Sequence, residues 1–233
     1  MIKKIILFMT LINMAVLTAL KYNDNTSNTS ARDDTEKIYD DISAENIDYV
    51  NISGNARSIV IRQSENEYFE FHNGDLNTDH TYKVYCDKNG DTIDINIMME
   101  NAEDDNNVLG SFLIDIPQKE FENIEVTGDF SQISLCTINS DVFIQANNAF
   151  VNLDLEVDHL DHDITLAGSE ADTFSGVSVY LDKFPDNVRM EFNIMQGGTI
   201  NDPQNIINNS FLSGSGKPVV SINNTKEINI YWK

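Results

Sequence analysis

Basic side chains are scarce in this sequence, which has 15 Lys and Arg residues against 38 Asp and Glu residues and a formal net charge of −23. Residues 1–21 contain three of the lysines and no acid, so the remainder carries 12 basic against 38 acidic residues, or −26. A body this anionic repels nucleic-acid phosphates and anionic lipid headgroups. Nucleic-acid binding is therefore excluded, and membrane contact is restricted to residues 1–21.

Cysteine is also scarce, with Cys86 and Cys136 as the two members of the whole sequence. Strand parity places Cys86 on the same side as the inward-facing Val84, whereas Cys136 has the opposite parity to the inward-facing Leu135. Side chains that point to opposite sides of their strands do not reach disulfide geometry. We therefore predict that the two cysteines do not form a disulfide.

Long helical patterns are missing after the first 21 residues. From Ile47 onward, apolar and polar residues alternate in short segments, as in strands that bury one face. Dipeptides that favour tight turns, such as Asn89-Gly90, separate these segments. The pattern predicts an all-β domain of strand repeats over residues 47–233.

Four apolar pairs recur at an interval of nine residues, beginning at Ile124, Ile133, Val142 and Val151. Nine residues hold one short strand and one turn, so two units form a coil of about 18 residues, and neighbouring coils would stack at about 4.8 Å. The spacing predicts a single-domain, right-handed β-solenoid. Because sandwich strands recur at similar intervals of about 8 to 12 residues, a β-sandwich stays open as the alternative.

The first 21 residues have the composition of an export segment. Lys3 and Lys4 precede the mostly apolar stretch 5–20, which predicts an N-terminal apolar helix and an exported remainder. The cleavage pattern is imperfect, since Leu17 stands two residues before Ala19. Removal as a signal peptide and retention as a membrane anchor therefore both stay open. The expected location is outside the cytoplasm, either secreted, anchored in the membrane or at the cell surface.

Residues 22–46 differ from both flanking regions. They are rich in Asn, Asp, Ser and Thr and have few apolar residues. A segment of this composition buries too little apolar surface to offset the entropy lost on ordering. We predict a flexible polar linker.

Several segments together resemble a known family. They are the segments 112–117, 122–128, 177–181, 197–200 and 214–230. Their order is similar to that of the bacterial putative adhesin family of β-strand repeat proteins, a domain of unknown function. The resemblance covers roughly residues 47–231 and implies a β-solenoid outside the cytoplasmic membrane, without catalytic residues to carry over. The sequence departs from the family at Lys226-Glu227, where such repeats commonly place a glycine turn.

Carboxylates and histidines are concentrated near residues 154–163. Asp154, Glu156 and Asp158 alternate with apolar residues, which places their carboxylates on the outer face of one strand, and His159 and His162 follow. Imidazole with carboxylate suits zinc, and a row of carboxylates suits weak Ca²⁺ binding. No distant third ligand is identifiable, and such acids more often form a solvated surface. We therefore predict no metal and no cofactor, with these five residues and Ca²⁺ as the candidates if an ion binds.

Two classes of function fit these features. The first is a non-enzymatic extracytoplasmic scaffold, an adhesin-like interaction module whose partner is an unknown protein or glycan at the cell surface. The alternatives are a polysaccharide-active enzyme that uses Asp154, Glu156 and Asp158, and a weak calcium-binding surface protein. Sugar-active enzymes usually gather aromatic and basic residues around their acids, and basic residues are few here. The non-enzymatic scaffold is therefore the prediction.

Overall fold

The computed structural model describes residues 36–37, 42–73, 81–100, 111–168, 173–203, 210–212 and 216–233. The apolar helix over 1–21 and most of the linker over 22–46 lie outside these ranges, and the boundaries predicted there stay predictions. Within the described ranges, no helix is long and apolar enough to cross a membrane.

The described regular structure consists of fifteen strands and one short 3₁₀ helix, Val157–His159. The strands are β1 (Glu36–Lys37), β2 (Ile42–Ser43), β3 (Tyr49–Gln63), β4 (Tyr68–Asn73), β5 (Thr81–Asn89), β6 (Thr92–Glu100), β7 (Phe112–Ile116), β8 (Phe121–Cys136), β9 (Ser140–Ala146), β10 (Phe150–Leu155), β11 (Ile164–Ala167), β12 (Gly176–Leu181), β13 (Arg189–Asn201), β14 (Ser210–Leu212) and β15 (Val219–Trp232). The all-β prediction is confirmed. The structure contains no disulfide between Cys86 and Cys136, also as predicted.

The nine-residue interval corresponds to two rows of inward-facing aliphatic side chains. Ile124 lies opposite Val142 in one row, and Ile133 lies opposite Val151 in the other. Residues nine apart therefore belong to different rows, and residues two intervals apart are neighbours in space. The rows continue as Val142, Ile164 and Val220, and as Val151, Val177 and Ile228. All of these side chains are buried, and each contributes roughly 1.5 to 3 kcal/mol by leaving water.

The strand order contradicts the predicted β-solenoid. Six parallel strands, β8, β10, β12, β15, β11 and β9, pair in a closed ring and form a parallel β-barrel. The ring closes because two strands are long: β8 pairs with β9 through its first half and with β10 through its second, and β15 joins β11 and β12 in the same way. Since the strands of the ring are parallel, the antiparallel β-sandwich is wrong as well.

The other nine strands extend the sheet outside this ring. β3 pairs with β8 and carries β6 and β7, which are followed by β5, β4, β1 and β2. β13 pairs with β15 and carries β14. The short strands β1 and β2, which fall within the predicted linker 22–46, both pair antiparallel with β4.

Two facing glycines lie between the halves of β3 and β8. Gly54 has φ 130° and lies opposite Gly128, which has φ 150°. A Cβ on Gly128 would lie 2.2 Å from the Gly54 carbonyl oxygen, and a Cβ on Gly54 would lie 1.9 Å from the Ile97 carbonyl oxygen. Both the positive φ and the close approach require glycine. The two glycines allow each long strand to pass from one aliphatic row to the other.

Candidate functional site

Six segments adjoin the ends or the beginnings of strands, and together we call them the loop edge. The loop edge consists of residues 64–67, 117–120, 137–139, 156–163, 182–188 and 216–218. Because β8, β10 and β12 are parallel and in register, their carboxyl ends, and the loops 137–139, 156–163 and 182–188 that follow them, lie side by side.

The loops of this edge are hydrogen-bonded to one another or to the strand ends beside them. Several backbone N–H groups donate to oxygens of a different segment, and five of them illustrate the pattern. The pairs are Gln118 N to Asn66 O (3.2 Å), Asn139 N to Gln63 Oε1 (3.3 Å), Glu156 N to Thr137 Oγ1 (2.7 Å), Val157 N to Asp182 Oδ1 (2.8 Å) and Val219 N to Asp163 Oδ1 (2.7 Å). The loop edge is therefore a cross-linked surface, in which each loop restrains its neighbours.

Acidic side chains outnumber basic ones on this surface by three to one. Nine acids and three lysines lie in the six loops. The acids are Glu65, Glu67, Glu120, Glu156, Asp158, Asp161, Asp163, Asp182 and Asp186, and the lysines are Lys119, Lys183 and Lys217. A low-dielectric protein body behind such a row of like charges strengthens the local negative potential.

Three open cavities lie along the loop edge. The first has a volume of about 350 Å³ and includes Glu156, His159 and Asp161 in its lining. The second, of about 370 Å³, is formed by Asp48, Glu120, Phe121, Glu122, Asp141 and His162. The third, of about 220 Å³, has an apolar part with Phe184 and a charged rim with Asp158 and Asp186. These cavities offer both carboxylates and apolar surface to a ligand.

The five predicted site residues are distributed over this region and do not converge. Glu156 and His159 line the first cavity, His162 lines the second, Asp158 lines the third, and Asp154 lies on β10. In the described ranges, these residues do not form a group of three ligands around one point. The structure therefore brings no metal site together from the residues that the sequence suggested.

Two of these acids already have cationic partners. Asp154 forms a salt bridge with Lys233, and both side chains are largely buried. Asp158 forms a salt bridge with Lys183 on the surface, where 72% of the Asp158 side chain is exposed. The hydrogen bond with Asp158, together with the nearby charges of Asp182 and Asp186, raises the pKa of Lys183. Asp154 and Asp158 therefore belong to separate ion pairs.

His162 joins two loops of the edge. Its Nε2 lies 3.0 Å from Asn139 Oδ1, and its Nδ1 lies 3.6 Å from Asp141 Oδ1. The carboxylate of Asp141 also accepts a hydrogen bond from the backbone N–H of Asp163 at 2.9 Å. His162 and Asp141 therefore fix the beginning of β11 against the beginning of β9.

Four acids of the second cavity were not predicted from the sequence as site residues. Asp48, Glu120, Glu122 and Asp141 come from three separate segments of the chain. Each segment lies next to the beginning of a predicted strand, which is the signal that was present. Their convergence depends on the register of β3, β8 and β9, and this register is a long-range property.

The third cavity has an aromatic side. Phe184 is 40% exposed, and its ring stacks on Trp232 with ring centroids 6.2 Å apart. The indole N–H of Trp232 donates to Asp202 Oδ1 at 3.0 Å, which holds the indole ring in place. An exposed aromatic ring beside carboxylates suits the aliphatic stem and the cationic head of a Lys or Arg side chain.

Comparison with known proteins finds a distant structural likeness. No family model and no curated protein matches the sequence. A crystal structure of a putative cell adhesion protein from Clostridium sporogenes is similar, with a TM-score of 0.44 and 16% identity, over 85% of this chain and 100% of that chain. A likeness this distant carries no argument about function.

Proposed function

We propose that this protein is a non-enzymatic, adhesin-like interaction module outside the cytoplasm that binds a basic segment of a partner protein at its loop edge. The observation that supports this most is the excess of acids in six cross-linked loops that also form three cavities. The extracytoplasmic location is supported by the export-like composition of residues 1–21.

A row of exposed carboxylates gains its effect collectively. A single exposed ion pair contributes only about 0 to 1 kcal/mol. Many like charges on one face steer an oppositely charged partner toward it and select against partners of the same sign. Because the loops are hydrogen-bonded to neighbouring segments, little of the binding free energy is lost in ordering them.

The absence of enzymatic activity is part of this proposal. A glycosidase needs two carboxyl groups that face one glycosidic bond. Asp154 is paired with Lys233, Asp158 is paired with Lys183, and Glu156 lines another cavity. Release of reducing sugar from a polysaccharide panel, with loss of that activity in Glu156→Gln, would show that the alternative function is the right one.

The binding proposal can be tested with an immobilised lysine-rich peptide and a glutamate-rich peptide of equal length. We expect saturable binding to the lysine-rich peptide alone, with an affinity that falls as salt is added, because salt screens exposed charges. Biolayer interferometry over a salt series measures both properties. Equal binding to the two peptides, or no binding to either at low salt, would refute the proposal.

A further inference from the structure

Three side chains that can ligate a metal meet beside the loop edge, on the outward sides of β4 and β7. His72 Nε2 lies 3.5 Å from Asp115 Oδ2 and 3.7 Å from Glu70 Oε2. The three ligand atoms all lie within 4.8 Å of one another. Tetrahedral ligands at zinc bond lengths of about 2.0 to 2.1 Å are separated by about 3.4 Å. The two distances from His72 are therefore close to those expected around a single ion.

The strand register brings two carboxylates directly opposite each other. Glu70 pairs with Asp115 across the antiparallel β4 and β7 strands. The neighbouring side chains Phe71 and Ile114 are fully buried and fix this register. Like charges directly opposite each other destabilise a sheet. This pair therefore favours cationic and hydrogen-bonding partners: Arg62 pairs with Asp115, Asn66 Nδ2 donates to Glu70 Oε2 at 2.9 Å, and the imidazole of His72 lies beside both carboxylates.

Arg62 approaches Asp115 from β3, on its other side. Its Nε–H donates to Asp115 Oδ1 at 2.5 Å, and its Nη2–H donates to Asp115 Oδ2 at 3.2 Å. The oxygen that faces His72 therefore accepts the longer of the two hydrogen bonds. A carboxylate oxygen has two lone pairs, so Oδ2 can accept this hydrogen bond and still ligate an ion.

Asp115 is available as an anion despite its burial. Its carboxylate forms an ion pair with the guanidinium of Arg62, with Nε 2.5 Å from Oδ1. The Asp115 side chain is 6% exposed, while the side chains of His72 and Glu70 are 17% and 23% exposed. An ion can therefore reach the cluster from solvent on the side of Glu70 and His72.

We propose that Glu70, His72 and Asp115 bind one divalent transition-metal ion of the zinc type, with Arg62 positioning Asp115. Three protein ligands leave the fourth tetrahedral position for a water molecule. The mixed imidazole and carboxylate set favours zinc over Ca²⁺, which prefers six to eight oxygen ligands. The site adjoins the loop edge, where Asn66 Nδ2 donates to Glu70 Oε2 at 2.9 Å, but none of its three ligands belongs to the six loops, so its failure leaves the proposed function intact.

Metal binding can be measured on the full chain after treatment with a chelator. We expect Zn²⁺ to bind at one ion per chain in calorimetry and to raise the melting temperature, because the ion binds the folded state. Co²⁺ should give the visible absorption of a four-coordinate site. His72→Gln should weaken Zn²⁺ binding by at least about tenfold.

A matched control distinguishes this site from adventitious binding to other histidines and to the many surface acids. The double variant His159→Gln, His162→Gln should keep the wild-type affinity for Zn²⁺. Glu70→Gln serves as a second site variant, because the exposed part of its side chain makes misfolding less of a risk, and far-UV circular dichroism checks its fold. It should show the same loss as His72→Gln.

Two results would overturn the metal site. One is the absence of saturable Zn²⁺ binding to the wild-type protein. The other is equal Zn²⁺ affinity in the wild type and in His72→Gln. Either result would leave the cluster as a network of ion pairs among Arg62, Glu70, His72 and Asp115.

Discussion

At the scale of single residues, Gly128 shows how one missing side chain permits the path of a strand. Its φ of 150° and the 2.2 Å distance from a Cβ to the Gly54 carbonyl oxygen exclude other residues without a backbone shift. Gly128→Ala should lower the free energy of unfolding by at least about 2 kcal/mol. Urea denaturation followed by circular dichroism measures this change.

Gly90 provides the matched control for this substitution. It also has a positive φ, of 68°, but a Cβ there would meet no atom within 4 Å. Gly90→Ala should therefore cost only the backbone strain of about 1 to 2 kcal/mol. Equal destabilisation by Gly90→Ala and Gly128→Ala would show that the close approach between β3 and β8 is not tight.

Tyr180 gives the protein an alkaline limit of stability. Burial, the neighbouring Tyr231 and Asp154 raise the pKa of Tyr180 to about 12, and its ring stacks on that of Tyr231 at 4.7 Å. Since the folded-state pKa lies above the unfolded value of about 10, the stabilisation is complete below pH 10 and is lost as pH rises toward 12.

Tyr180→Phe removes this titration and tests the effect. Between about pH 9 and pH 11, the free energy of unfolding of the wild type should fall more than that of Tyr180→Phe, by up to about 1.3 kcal/mol for a shift of two pKa units. Urea denaturation at each pH measures the difference. Parallel pH profiles would show that Tyr180 ionises equally in both states.

The sequence shows which side chains pack in the core, but it does not show which polar side chains lie together. Alternation was enough to identify inward side chains such as Ile133 and Val151, because parity is a local property of strands. It gave no reason to single out His72, since its partner Asp115 lies on a strand far along the chain. The acids of the second cavity were missed for the same reason.

At the scale of the elements, β8 illustrates what a local pattern leaves open. The apolar pairs at Ile124 and Ile133 predict two short strands with a turn near Gly128. The structure has one strand over Phe121–Cys136, because Gly128 continues the pairing with Gly54. Long strands that take part in both rows close the ring, and their length follows from pairing between distant segments. This is why the solenoid prediction was wrong while the spacing of its rows was right.

In β15, an asparagine adopts the backbone conformation for which the resembling repeats use a glycine. The sequence has Lys226-Glu227 where the resembling repeats place glycine. The positive φ falls instead on Asn224, at 52°, and β15 continues past it to Trp232. Asparagine tolerates this conformation better than most residues. The register of β15 with β12 is therefore kept without a glycine.

Asp163 fixes the beginning of β15 to the loop edge. Its Oδ1 accepts a hydrogen bond from the Val219 backbone N–H at 2.7 Å, and its Oδ2 lies 3.4 Å from Lys217 Nζ. Asp163→Ala should destabilise the protein by about 1 to 3 kcal/mol, because it leaves this N–H without its acceptor. Hydrogen exchange at Val219 should become faster.

Asp163→Asn is the control for this prediction, because the amide oxygen retains an acceptor while the charge is lost. We expect hydrogen exchange at Val219 to stay close to that of the wild type. If Asp163→Ala leaves the exchange rate unchanged, the beginning of β15 is held by strand pairing alone.

At the scale of the whole molecule, the distribution of charge matters more than its total. Net charge was readable from composition, and the prediction that nucleic acid is not a partner rests on it. Four of the nine acids of the loop edge lie in the one segment 156–163, where the sequence already shows a concentration of carboxylates. The other five come from three separate segments, and their position beside that segment was not readable from the sequence. The glycines Gly54 and Gly128 lie between the strand halves, away from these loops. The barrel therefore extends a locally acidic segment into an acidic surface.

The loop edge, rather than the total negative charge, is proposed to bind the basic partner. Two triple variants, each of which removes three carboxylates that lie on exposed residues, separate these two contributions in the lysine-rich peptide assay. The loop-edge variant is Glu120→Gln, Asp161→Asn, Asp186→Asn, and the matched control is Asp87→Asn, Asp94→Asn, Asp129→Asn.

The decisive measurement is the ratio of the dissociation constants of these two variants for the lysine-rich peptide at one salt concentration. Both variants have the same net charge, so long-range attraction that depends only on net charge is equal. We predict that the loop-edge variant binds at least about tenfold more weakly than the control, equivalent to about 1.4 kcal/mol. Equal affinities of the two variants would show that binding depends on net charge and not on the loop edge.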